Sequence, residues 1–100
     1  MIWTEVFENN KNIIELRDNV LGTIGYLTTV RAVGKSTTWE VVFSVGALEL
    51  YLNEIFVGVL EGAKSHLLAA AANYLQSKVK EFTDLQMRVS EMTNPVKKNV

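Results

Sequence analysis

The sequence predicts an α+β domain of the order α-β-β-β(-β)-α: an N-terminal helix, an antiparallel meander of three to four strands, and a long C-terminal helix. Three observations carry this. Apolar residues recur at helical period over residues 4–21, they alternate at period two between Tyr26 and Leu60, and residues 63–93 hold an alanine run inside a seven-residue apolar repeat.

In the first element, "TEVFENNKNIIELRDNVL", the pairs Val6-Phe7, Ile13-Ile14 and Val20-Leu21 stand seven apart, with Leu16 between. One helical face collects such pairs. Thr4 is placed to cap the first turn, Glu5 and Glu8 suit the positive end of the helix dipole, and Gly22 and Gly25 supply the stop.

From Tyr26 to Leu60, Val, Thr, Tyr, Phe and Ile dominate. The alternation Trp39, Val41, Phe43, Val45, then Leu48, Leu50, Leu52, then Ile55, Val57, Val59 predicts half-buried strands at 25–33, 39–45, 48–52 and 55–60. Breaks fall at 34–38, 46–47 and 53–54; an alternative reading joins the second and third strands into one, bulged at Gly46. A rival reading makes 38–62 one buried helix with Thr37 and Glu40 as a capping box, against which stand Gly46, Gly58 and the β-branched content.

The last element, 63–93, contains Ala69–Ala72 and the repeat Leu68, Leu75, Phe82, Val89, flanked by Ala71, Leu85 and Met92. Asp84 and Arg88 stand at i,i+4, and Asn94-Pro95 ends the helix. Residues 1–94 therefore read as one domain and 95–100 as a mobile tail.

The chain has 100 residues, 48% of them hydrophobic and 21% charged, with a formal net charge of −1. That is a folded chain with one modest core and no general electrostatic pull toward nucleic acid or anionic lipid. It has no cysteine and one histidine, which excludes disulfides, thiolate metal sites and histidine clusters; no cofactor or metal is expected. The start "MIWTEVFENN" lacks the basic-then-apolar pattern of a secretory signal. The most apolar window, 41–60, carries Glu49 and Glu54. Each carboxylate inside a bilayer span costs about 2.5–3.5 kcal/mol on insertion scales. The expectation is a cytoplasmic protein without a membrane partner.

Gly34-Lys35-Ser36-Thr37 spells the end of a P-loop, but the glycine needed five residues before the Gly-Lys pair is Thr29. The stretch reads as a five-residue hairpin turn in which Gly34 takes a positive φ and Lys35 faces water. His66 has only a carboxylate such as Glu61 for company, and Ser65 beside it reads as a helix cap rather than a nucleophile. Glu40, Glu49, Glu54 and Glu61 read as solvated strand residues, with Glu40 and Glu49 on one outer face. Trp3, Trp39 and the tyrosines read as core or interface residues.

Residues 47–75, "ALELYLNEIFVGVLEGAKSHLLAAAANYL", resemble the C-terminal half of a double-stranded-RNA-binding domain. Leu48, Leu50 and Leu52 look like its middle strand, Asn53-Glu54 like its turn, Gly58 like its third-strand glycine, and Ala70, Ala71 and Leu75 like its helix residues packed on the sheet. The resemblance implies an α-β-β-β-α fold. It implies either RNA binding or the protein-binding and dimerising role that some members serve. The basic cluster with which the family grips phosphates is represented by Lys64 alone. Across 25–62, Arg31 and Lys35 stand against four carboxylates.

The functional expectation is therefore a non-catalytic, homodimerising protein-interaction module, a small accessory or inhibitor protein acting by binding. Its interface residues would be Phe82, Leu85, Val89 and Met92, which stay apolar where the last helix outruns the sheet. Either helix 4–21 or a second chain would cover them. The alternative is nucleic-acid binding through Lys35, Lys64, Lys78, Lys80 and Arg88, extended by Lys97 and Lys98.

Overall fold

The computed structural model describes residues 1–93. The elements are β1 (Ile2–Glu8), β2 (Lys11–Asp18), β3 (Gly22–Val33), β4 (Ser36–Val45), β5 (Leu50–Val57) and α1 (Leu60–Thr93), with a short 3₁₀ turn at Gly46–Leu48. The strands form one antiparallel sheet in the order β1-β2-β3-β4-β5. The class is α+β, but the expected N-terminal helix is absent and, among the described residues, five strands, not three or four, precede one α-helix. The α-β-β-β-α order is thereby replaced by β-β-β-β-β-α. The expected tail, 95–100, lies outside the described residues.

Why 4–21 is a hairpin follows from its middle. Asn9 and Asn10 both take positive φ, 51° and 62°. Two successive left-handed residues are what a two-residue hairpin turn requires, and asparagine tolerates that region better than other side chains. The turn sets the register Glu8↔Lys11, Val6↔Ile13, Thr4↔Glu15 and Ile2↔Arg17. The adjacent apolar pairs that mimic a helical stripe are then split between the two sheet faces. Ile14 and Leu16 enter the core, while Ile13 lies on the other face. Thr4 is a strand residue rather than a cap, and its hydroxyl oxygen is buried without a partner among the described residues.

The β3–β4 hairpin turns on Gly34 and Lys35 alone, since Val33 pairs with Ser36, and Gly34 takes φ 59°. The Gly-Lys-Ser-Thr stretch is a turn, of two residues rather than five, and Ser36 and Thr37 belong to β4. At Gly46–Leu48 the chain reverses, with Glu49 at φ 55°. The segments 39–45 and 48–52 are therefore antiparallel neighbours, not one bulged strand. Asn53-Glu54 is no break: Asn53 pairs with Val42 inside a continuous β5. The buried-helix reading of 38–62 is likewise overturned.

Helix α1 starts at Leu60, with Ala63 N–H donating to the Val59 carbonyl and Glu61 in the first turn. Ser65 sits inside the helix, not at its cap. Ala63, Leu67 and Ala71 press on the sheet face made by Ile14, Leu16, Leu27, Trp39, Val41, Phe43, Val45 and Leu50. Trp39 is held by its indole N–H to the Gly58 carbonyl, 2.9 Å away. Tyr74 closes the packed stretch, its ring edge-on to Phe43 and its hydroxyl accepting from the Tyr51 N–H at 3.3 Å. The opposite face of the sheet carries no described element, yet Val42 there is fully buried between its ladder neighbours Tyr26 and Asn53.

Gly25, on β3, leaves no room for a side chain between its neighbouring strand and the helix. A Cβ there would stand 2.9 Å from the Val42 carbonyl oxygen and 3.1 Å from a Leu67 methyl. Gly25→Ala should cost about 1–3 kcal/mol of stability through overpacking. Gly46→Ala, whose Cβ would meet nothing within 4 Å, should stay within about 0.5 kcal/mol of the parent. Denaturant unfolding of both variants checks the pair of values.

Candidate functional site

The helix outruns the sheet beneath it. Its 34 residues rise about 51 Å at 1.5 Å each, whereas the eight residues of β5 cover roughly 27 Å. The Cα radius of gyration is 19.0 Å and the longest extent 69 Å, against about 13 Å for a compact chain of this length. Beyond Tyr74 no helix residue enters the core, and every residue from Val79 to Thr93 is exposed. Phe82 is 63% exposed, Leu85 50%, Val89 54% and Met92 80%. These are the four residues that the seven-residue repeat singles out. The structure aligns them on one stripe with Leu75 and Val79, and no N-terminal helix exists to cover them.

At the root of the overhang the stripe runs into an apolar groove of about 280 Å³. Leu68, Ala72 and Leu75 form its helix wall, and Leu16, Ile24, Phe43, Val45 and Leu50 its sheet side. The β2–β3 turn closes the far end with Leu21. That turn is shaped by Asp18, whose carboxylate accepts the Val20 and Leu21 N–H groups at 3.0 and 3.1 Å. Those two backbone bonds, Leu21 first, hold the Asp18 carboxyl below its ordinary value.

The other flank of the helix is polar. His66 Nε2 lies 2.7 Å from Glu54 Oε1, and its ring leans on Phe56 with centroids 5.3 Å apart. They line a cleft of about 410 Å³ with Leu52, Ala70, Asn73, Tyr74 and Ser77. The partner of His66 is thus Glu54, not Glu61, which pairs with Lys64 at 3.5 Å. Alternation along an unbroken β5 puts Leu52, Glu54 and Phe56 on the helix side; a turn expected at 53–54 hides this. The nearest hydroxyls do not complete a nucleophilic set: Ser77 is eleven residues along α1, about 16 Å of rise, and Ser65 neighbours His66 in sequence but is exposed outside the cleft lining. The pair links the edge strand to the helix.

The basic residues do not converge. Lys64 lies over the Trp3 ring at 5.5 Å and Lys78 near the Tyr74 ring at 5.6 Å. Lys78 also pairs with Glu81 at 3.2 Å. Lys35 is at the tip of the β3–β4 hairpin, and Lys80 and Arg88 are exposed on the overhang. Asp84 and Arg88 form no ion pair with each other among the described residues. Lys97 and Lys98 lie outside the described residues. Glu40 projects from the uncovered sheet face, but Glu49 is in the connection before β5 and does not share that face. Among the described residues there is no group of three metal-ligating side chains, and no helix is long and apolar enough to cross a membrane.

On the uncovered face, Tyr26 sits between Glu15 and Val42 in the ladder. Partial burial, then the charge of Glu40, hold its phenol above the ordinary value of 10.0. The folded chain binds that proton more tightly than the unfolded one, so this contribution is full below pH 10 and lost as pH rises through the folded-state value. Denaturation midpoints should fall with pH above that point, and Tyr26→Phe should flatten the fall.

Compared with known protein families, curated proteins and solved structures, the chain matches none.

Proposed function

We propose that the chain is a non-catalytic, homodimerising protein-interaction module, a small accessory or inhibitor protein that acts by binding. The observation that supports this most is the overhanging half of α1. It keeps an apolar stripe of Leu75, Val79, Phe82, Leu85, Val89 and Met92 over a stretch against which no described residue of the sheet packs. Leaving a helix of that length uncovered forgoes roughly 1.5–3 kcal/mol for each large apolar side chain that a partner would bury. A lone helix of about fifteen residues is also marginal in water. A second copy supplies the same stripe and satisfies both at once.

In such a dimer the helices are occupied by self-assembly, and the uncovered sheet face is left for a partner. That face presents Val6, Ile13, Thr28, Glu40 and Ile55 in one cross-strand row, with Tyr26 and Tyr51 beside it. Mixed apolar, aromatic and carboxylate surface suits a protein partner better than a polyanion.

Light scattering of the purified chain at two concentrations and two salt concentrations tests the reading. A mass twice the 11.2 kDa chain, resistant to salt, is expected. Phe82→Asp with Val89→Asp should weaken the dimer more than a hundredfold, since each change occurs twice per assembly. The far-UV spectrum of the sheet should be retained, because neither residue touches the core. A wild-type monomer, or an unchanged mass in the double variant, would contradict the proposal.

A further inference from the structure

The polar residues beside the stripe distinguish the two ways in which a second copy can lie on it. On a seven-residue repeat with Leu75, Phe82 and Val89 at one seam position and Lys78, Leu85 and Met92 at the other, Glu81 and Arg88 fall on the same flank. In a parallel pair each flank residue meets the partner residue five positions on. Glu81 then faces Gln86 of the other copy, and Arg88 faces Thr93, so neither charge finds its opposite. In an antiparallel pair, like flank positions meet one another. Setting Phe82 against Leu85 of the other copy brings Glu81 of each chain beside Arg88 of the other, twice by symmetry.

The alternative antiparallel register one heptad further in sets Glu81 against itself, a like-charge contact. Arg88 is available for this contact, having no ion pair among the described residues, and Glu81 already carries Lys78 at 3.2 Å. The favoured register also sets Leu75 against Met92 of the other copy, and Lys78, whose ammonium reaches its own Glu81, against Val89. Met92 is the most exposed apolar residue of the stripe, and Leu75 stands at the mouth of the apolar groove. The end of each helix would therefore close the groove at the root of its partner.

We infer that two copies associate antiparallel through the overhanging halves of α1, centred on Phe82 and Leu85, with reciprocal Glu81–Arg88 contacts. The two sheets then sit at opposite ends of a short helical stalk. This rests on the homodimer reading and adds orientation and register to it.

The chain has no cysteine, so introduced thiols report only on their own positions. Leu75→Cys, Met92→Cys and the double variant are treated with a short bismaleimide, with solution mass measured on the same samples. Antiparallel pairing separates each residue from its own copy by about 25 Å along the stalk. Parallel pairing brings it within about 10 Å. The expected result is a covalent dimer from the double variant and none from either single variant.

A covalent dimer from either single variant would overturn the orientation and leave the homodimer standing. A dimeric mass without cross-linking in any variant would place the contact elsewhere and overturn the inference. A monomeric mass would overturn both. As a second readout, Glu81→Arg should weaken the dimer roughly tenfold, and Glu81→Arg with Arg88→Glu should restore it to within about threefold. No loss in the single variant, or no recovery in the double, would also overturn the register.

Discussion

The structure turns on a mismatch of length. A helix of 34 residues lies on a sheet whose neighbouring strand has eight. A helix rises less than half as much per residue as a strand, yet this one still passes the sheet edge by several turns. The packed half follows ordinary rules. Alanines at 63 and 71 and a leucine at 67 let the helix axis come close to the strands, and Gly25 and Gly62 remove side chains that would hold it off. The unpacked half has the same apolar period but no floor. Whatever the protein does, the free energy of that stripe has to be accounted for, and the sheet cannot do so.

The two flanks of α1 divide the chemistry. On the β5 side, Glu54 and His66 hold the edge strand to the helix across a polar cleft. The pair is partly exposed, so its contribution is modest and screened. On the other side the groove is apolar and continuous with the stripe. A helix with one polar and one apolar flank, both opening at the sheet, has a built-in direction for a partner to approach. The apolar flank is the side from which water is most favourably displaced.

The helix and the strand character of 39–45 and 50–52 were legible because period and composition agree there: alanine and leucine at seven-residue spacing, apolar and β-branched residues at two. The N-terminal hairpin was not. Its apolar residues come as adjacent pairs, which a helix stripe and two strands covered on one face produce alike. Asn9-Asn10 carried the distinguishing signal, a turn in the middle of the supposed helix, but it competes with a strong periodicity. Phe82, Leu85, Val89 and Met92 were legible as an exposed stripe because they depend only on position along one helix. The groove and the Glu54–His66 pair were not, because each joins residues from different strands and needs the register that only the fold supplies.

Amide hydrogen exchange across residues 79–93 tests the central claim most directly, because a helix without tertiary cover opens readily and one held by a second copy does not. Exchange would be followed at protein concentrations well below and well above dimer formation. The account predicts protection in this segment that grows with concentration while protection in β3 and β4 stays constant. Exchange in residues 79–93 that is fast at every concentration, or slow and independent of it, would contradict the claim that a second copy covers this helix.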